Sequence, residues 1–108
     1  MPDPSIKQRL RYEKMKVKQY LLEDGYKVTE GDNNPVCFSA IKETFFERKI
    51  RIAIDKIEKQ DIKIMDEFPA LDNQVKEIWL KERDSKRFKK FKVVKGELIE
   101  LYPTSCQS

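Results

Sequence analysis

The sequence has no histidine, and among its 108 residues there are only three glycines and two cysteines. Without histidine there are no serine–histidine or cysteine–histidine catalytic pairs. The usual zinc sites are excluded as well, because Cys37 and Cys106 lie far apart and form no CxxC pair. The sequence does not decide whether these two cysteines form a disulfide. The sequence contains neither GxxxxGKS nor GxGxxG, and Gly31 is a lone turn glycine, so these phosphate-binding loops are excluded.

Long apolar runs are also missing. No stretch approaches the roughly 20 apolar residues that span a bilayer, and the first residues, MPDPSIKQRLRYEK, lack the apolar core of a signal peptide. We therefore expect no membrane partner and a cytoplasmic location.

Charged residues are abundant and account for 39% of the chain, the same share as the hydrophobic residues. The hydrophobic residues recur in periodic runs, which predicts one folded domain over residues 1–108, with a flexible arm at 1–5 and a frayed tail at 103–108. The richness in Ile, Lys and Glu is typical of proteins from hot environments. A net charge of +4 is compatible with a nucleic-acid partner and equally with an ordinary basic domain.

The first half of the chain predicts one long helix, from about Ile6 to Asp24, which Gly25 would end. Glu13 falls on or beside the apolar stripe of this helix. The stripe consists of Ile6, Leu10, Val17 and Leu21. The outer face is basic and is predicted to be solvated rather than to bind a duplex; it carries Lys7, Arg9, Arg11, Lys14, Lys16 and Lys18.

Six strands are predicted after the helix, from alternating apolar residues and turn signals. They cover residues 26–30, 36–42, 49–57, 74–83, 87–94 and 98–103. Residues 58–68 are ambiguous between a short helix and extended chain. In the third strand the apolar alternation slips after residue 54, which indicates a bulge or a change of the buried face. The predicted fold is α+β: an N-terminal helix packed on a mixed, mostly antiparallel sheet of about five or six strands.

The stretch KERDSKRFKKFKVVK, Lys81 to Lys95, holds eight basic and two acidic residues with Phe88 and Phe91 between them. Such a segment attracts phosphates, and its aromatic rings can pack on sugars or bases. The alternative is a solvated hairpin whose phenylalanines face the core. The candidate nucleic-acid contacts are Lys81, Arg83, Lys86, Arg87, Lys89, Lys90 and Lys92.

The order of elements also carries a resemblance. DGYKV at Asp24–Val28 follows the helix, CFSAIK occupies Cys37–Lys42, the third strand ends in IDK at Lys56, and KEIWLKERDSKRFKKFKVVKGE comes later. This arrangement resembles the restriction-endonuclease-like superfamily, the PD-(D/E)xK nucleases, which includes archaeal Holliday-junction resolvases. The resemblance covers about Ile6 to Tyr102.

Members of that superfamily hydrolyse phosphodiesters with one or two divalent ions, held by carboxylates from adjacent strands beside a lysine. The resemblance assigns the helix glutamate to Glu13 and the motif lysine to Lys56. The strand aspartate falls on Cys37 and the motif glutamate on Ile54, which cannot bind Mg²⁺. The resemblance therefore implies a nuclease-like frame without its metal ligands.

A shifted register would change this. Asp55 could then turn toward the site, and Asp32 in the preceding turn could replace the missing aspartate. In that case Glu13, Asp55 and Lys56 would be catalytic, and Asp32 and Asp55 would bind Mg²⁺ or Mn²⁺. Otherwise we expect no cofactor.

The expected function is accordingly a nucleic-acid-binding domain, for DNA or another nucleic acid, with a nuclease-like fold that has lost metal-dependent catalysis. One alternative is an active Mg²⁺- or Mn²⁺-dependent DNA endonuclease. Another is a homodimeric protein-interaction module built on Phe45, Phe46 and Trp79, whose simplest assignment is nonetheless core packing.

Overall fold

The computed structural model describes residues 6–30, 36–42, 46–83 and 85–101, except for the side chains of residues 6 and 7. Its elements, in chain order, are α1 (Ile6–Glu23), β1 (Lys27–Glu30), β2 (Phe38–Lys42), β3 (Phe46–Ile54), α2 (Lys59–Glu67), β4 (Gln74–Lys81), β5 (Phe88–Val94) and β6 (Glu97–Leu101). The predicted α+β architecture is confirmed: the N-terminal helix lies on a mixed, mostly antiparallel six-stranded sheet.

Helix α1 ends as the glycine at its C-terminus predicts. Gly25 has φ 92°, and its N–H donates to the Leu22 carbonyl at 3.1 Å, while the Tyr26 N–H donates to the Leu21 carbonyl at 2.9 Å. These two bonds form a Schellman motif, which satisfies carbonyls that the helix end leaves unpaired. Tyr26 and Leu21 also pack in one apolar cluster, so the helix end and the start of β1 are fixed together.

The strands follow the sheet in chain order, β1 to β6, and only one neighbouring pair is parallel. That pair is β3 and β4, and α2 makes the crossover between them. The ambiguous segment at residues 58–68 is therefore helical over most of its length. The Asp61 carboxylate caps its first turn by accepting from the Glu58 N–H at 2.9 Å.

The slip in the apolar alternation of the third strand has a simple origin. β3 ends at Ile54, and Asp55 turns the chain with φ 71° while the Lys56 N–H donates to the Ile54 carbonyl at 2.9 Å. This is the geometry of a γ-turn with positive φ, a rare and strained conformation. Ile57 therefore packs on the opposite face of the sheet from Ile54, so the buried face changes because the strand has ended.

Each face of the sheet carries its own core. The α1 face buries Val17 and Leu21 of the helix against strand residues that include Phe38, Ile50 and Trp79. The α2 face buries Met65 of α2 against residues of β3, β4 and β5. Ile78 and Leu80 belong to the second core and Trp79 to the first, as the alternation in β4 predicts.

A buried ion pair lies within the first core. Arg48 of β3 donates to both carboxylate oxygens of Glu77 of β4, at 2.7 and 2.6 Å. The same carboxylate accepts from the Trp79 indole at 2.9 Å, and Arg48 also donates to the Tyr26 hydroxyl at 3.2 Å. Burial lowers the pKa of Arg48, but the hydrogen bonds and charge of Glu77 outweigh it, and the net pKa lies above its ordinary value.

Cys37 is buried and free in the structure, while Cys106 lies outside the described residues. Among the helices that are described, none has the length and apolarity needed to cross a membrane.

The buried pair gives a first prediction. Glu77→Gln leaves the Arg48 charge without its counter-charge, and we expect a loss of about 3 kcal/mol in the free energy of unfolding. Urea denaturation at pH 7, followed by circular dichroism, measures this. The control is Glu82→Gln, which removes the partner of Lys89 in a solvent-exposed pair 3.2 Å long and should cost less than about 1 kcal/mol. Equal losses in the two variants would contradict the importance of the buried pair.

Candidate nucleic-acid interface

The basic segment lies where the sheet is uncovered. Helix α1 packs over β1 and β3, which leaves the α1 side of β5 and β6 open. The connection from β4 to β5, Glu82 to Arg87, borders this open area. The segment therefore presents its cations beside α1 rather than beneath it.

Five of the seven predicted contacts share this location, and we call them the cationic surface. They are Arg83, Lys86, Arg87, Lys90 and Lys92. Arg83, Lys86 and Arg87 are exposed on the connection, and the Arg83 side chain retains 64% of its accessible surface. Lys90 and Lys92 project from the open face of β5, whereas Lys89 points to the other face and pairs with Glu82.

Lys81, the seventh predicted contact, faces inward. Its ammonium group lies 3.6 Å from Oε2 of Glu13, and both side chains are almost covered. Glu13 is 8% exposed, which confirms its predicted place on the inner side of α1, and its Oε1 has no hydrogen-bond partner among the described residues. Lys81 therefore neutralises a buried carboxylate instead of extending the cationic surface.

Asp55 lies beside this pair, since its N–H donates to the Lys81 carbonyl at 2.9 Å. Arg9 donates to both Asp55 carboxylate oxygens, at 2.8 and 2.7 Å, and Arg83 is 3.7 Å away. The hydrogen bonds from Arg9 hold the pKa of Asp55 below its ordinary value, against a smaller opposing effect of burial. Arg9 thus belongs to this site and not to the solvated face on which the sequence placed it.

The remaining predicted catalytic residue, Lys56, forms no ion pair with Glu13. The Lys56 side chain is exposed and makes no ion pair within the described ranges, and Asp32 lies outside those ranges. The structure therefore groups Glu13 and Asp55 along the first half of α1, with Lys81 beside them in place of Lys56.

The described residues do not fit the magnesium or manganese site that an active nuclease of this resemblance would need. No three carboxylate, cysteine or histidine side chains converge within the described part of the chain. The α1 face of the central strands presents Phe38, Ala40, Ile52 and Ile54 instead of oxygen ligands. The Asp55 carboxylate is held by a guanidinium, which supplies positive charge where the ion would otherwise be required.

A groove of about 490 Å³ opens between the end of α1 and the start of β5. The helix side is formed by Tyr20, Glu23 and Asp24, and the strand side includes Lys86 and Arg87. Lys90 lines the groove as well, so three of the five cations of the cationic surface border it. A cavity of this size falls in the range of small-ligand sites.

The floor of the groove is buried and aromatic. The Trp79 ring, which is 2% exposed, lies between the Arg48 guanidinium at 5.3 Å and the Lys90 ammonium at 4.5 Å, and the Phe88 ring is 5.9 Å away. Burial, aided by the charge of Arg48, holds the pKa of Lys90 below its ordinary value. The protein therefore keeps a partly desolvated lysine at this position.

The aromatic residues divide between the core and the surface. Phe88 packs against the α1-face core and Phe91 against the α2-face core. Trp79 is buried, which counts against its use in a protein-interaction patch; Phe46 is exposed, and Phe45 lies outside the described residues. The homodimeric module remains a hypothesis that rests on Phe46 alone.

Sequence reasoning did not identify Tyr20, Arg48 or Glu77 as parts of this region. A usable signal existed for Glu77, since it shares the inward alternation of β4 with Trp79. A charged residue at such a position requires a buried partner. Arg48 supplies it from the same inward face of β3, two residues before Ile50, which lies opposite Glu77.

A second prediction concerns Asp55. Because its folded-state pKa is depressed, its stabilising effect is present above the unfolded carboxyl pKa of about 3.9 and is lost as pH falls below that value. Asp55→Asn keeps the side-chain size and tolerates the positive φ. We expect its melting temperature to be lower than that of the wild type at pH 7, and the difference between the two melting temperatures to narrow between about pH 5 and pH 3.

Thermal melts by circular dichroism at pH 7, 5, 4 and 3 measure this narrowing. Asp72→Asn is the matched control, because Asp72 is exposed and has no ion pair among the described residues. If the melting temperature of Asp55→Asn stayed below that of the wild type by the same amount at every pH, the carboxylate charge would not stabilise the fold.

The search for relatives adds no assignment: neither a protein-family model nor a curated protein matches the sequence. The nuclease resemblance therefore remains one of motifs and element order, and the function has to be argued from the residues above.

Proposed function

We propose that this chain is a nucleic-acid-binding domain that holds phosphates on its cationic surface and does not hydrolyse them. The observation that carries the proposal is the grouping of Arg83, Lys86, Arg87, Lys90 and Lys92 along one connection and the open face of β5. A row of cations at this spacing attracts a polyanion chiefly through the release of its counterions.

The arrangement of these cations also favours an extended anionic partner over a small anion. Arg83 lies beside Asp55, whereas Lys86 and Arg87 border the groove, so the connection spans two separate concavities. A backbone with phosphates at regular intervals can contact several of these side chains at once. A single phosphate ion would reach only one or two of them.

The absence of hydrolysis rests on the environment of the two carboxylates. Glu13 has Lys81 at 3.6 Å, and Asp55 has Arg9 on both oxygens. Divalent ions in phosphodiester hydrolysis are held by oxygen ligands whose charge is available to them. Here protein cations already neutralise both groups.

The test is the salt dependence of binding to a fluorescent duplex, measured by anisotropy. The wild type should bind at low salt, and the logarithm of its affinity should fall with the logarithm of the salt concentration with a slope of about 4.5 for five contacts. The variant Lys86→Gln with Arg87→Gln should lose about two units of that slope and weaken binding about tenfold or more at 0.1 M salt.

The matched control is Lys59→Gln with Lys63→Gln. It removes the same charge from exposed positions of α2, on the other side of the sheet. It should bind like the wild type. Equal losses of affinity in both double variants would show that only the net charge of the protein matters, and not the position of the cations. A wild type that fails to bind at 20 mM salt would overturn the proposal.

The same samples, incubated with Mn²⁺ or with chelator, test the second part of the proposal. Bound but intact DNA in both is the expected result. Cleavage that requires Mn²⁺ and disappears in Asp55→Asn would instead establish the active endonuclease.

A further inference from the structure

The groove between α1 and β5 combines three kinds of side chain. Its strand side carries the cations Lys86 and Arg87, and its helix side carries the carboxylates Glu23 and Asp24. Tyr20, on the same helix side, is 48% exposed. The groove is thus basic on one side, and acidic and aromatic on the other.

Each part matches one part of a nucleotide. The cations suit a phosphate, and an exposed aromatic ring suits the face of a base, whose stacking does not depend on its sequence. Carboxylates accept hydrogen bonds from the amino group of a base, as acidic side chains do with N4 of cytosine. Glu23 disfavours a simple anion, although Lys42 lies 3.9 Å from Asp24, and Lys86 and Arg87 disfavour a simple cation.

The floor beneath these parts is well packed. The Trp79 ring contacts the cations of both Arg48 and Lys90, and its indole donates to Glu77 at 2.9 Å. A preformed floor lowers the ordering cost of binding, because little of the protein has to rearrange. Tyr20, on the last turns of α1, is the exposed aromatic ring of the groove.

From this geometry we infer that the groove binds one unpaired nucleotide of a nucleic-acid strand, with a preference for a base that carries an amino group. The inference rests on the proposed function, since it names the part of the nucleic acid that this surface selects. A base inside a duplex has both faces stacked and its amino group paired, so only an unpaired nucleotide can use the groove.

The experiment compares a blunt fluorescent duplex with the same duplex bearing a short 3′ cytosine overhang. We expect the overhang to bind about tenfold more tightly, in line with the stacking of one base on an aromatic side chain. A thymine overhang should bind less tightly than the cytosine overhang, because thymine lacks the amino group. Trp79, the single tryptophan of the chain, should report the cytosine overhang, and not the blunt duplex, by a change in its fluorescence.

Tyr20→Ala should remove the preference for the overhang and leave binding to the blunt duplex unchanged, while Tyr20→Phe should retain the preference. The control is Tyr12→Ala, which deletes a ring that is 59% exposed on the same helix but outside the groove, and it should behave like the wild type.

The outcomes separate the two proposals. If blunt and overhang duplexes both bind with equal affinity, the groove has no role and this inference fails, while the proposed function stands. If neither binds, both fail. Equal affinity for cytosine and thymine overhangs would refute the assigned role of Glu23 and Asp24. A fluorescence change of equal size with free cytidine monophosphate would show that the groove binds a free nucleotide, and would refute binding to a nucleotide within a strand.

Discussion

The buried contact between Arg48 and Glu77 fixes the geometry on which the rest of the structure depends. It joins two neighbouring parallel strands, and its two bonds of 2.7 and 2.6 Å require Glu77 to lie on the α1 face. A slip of one residue between β3 and β4 would move Glu77 to the other face and leave Arg48 unpaired in the core. Because an unpaired buried charge is costly, the pair selects one register against the alternatives.

That register determines both faces of the molecule. The indole of Trp79 donates to the Glu77 carboxylate that also binds Arg48, and Arg48 in turn donates to the hydroxyl of Tyr26, just before β1. The network therefore links the end of α1, through Tyr26, to the centre of the sheet. Arg48 and Trp79 of this network line the groove, so its floor is held by a polar cluster as well as by apolar packing. A cluster in which the partners satisfy one another is a strong source of structural specificity.

Much of the fold followed from patterns in the sequence, and the exceptions have physical causes. Periodicity located α1, the six strands and the inward position of Glu13, because each depends on residues close in the chain. The parallel pairing of β3 and β4 did not follow, since the crossover segment has no clear period until it packs Met65 against the sheet. Arg9 was placed on the outer face because spacing gives the direction of a Cβ atom, but not the point that a long side chain reaches.

The pairing of carboxylates with protein cations links the fold to the kind of function it supports. A site built for a divalent ion leaves carboxylates uncompensated until the ion arrives, which destabilises the empty protein. Here Lys81 and Arg9 compensate Glu13 and Asp55 within the folded chain, so the fold is complete without an ion. The exposed Arg83 lies 3.7 Å from Asp55 at the same place. Cations are therefore available to a phosphate there while the carboxylates are already neutralised, which is why we propose nucleic-acid binding without cleavage.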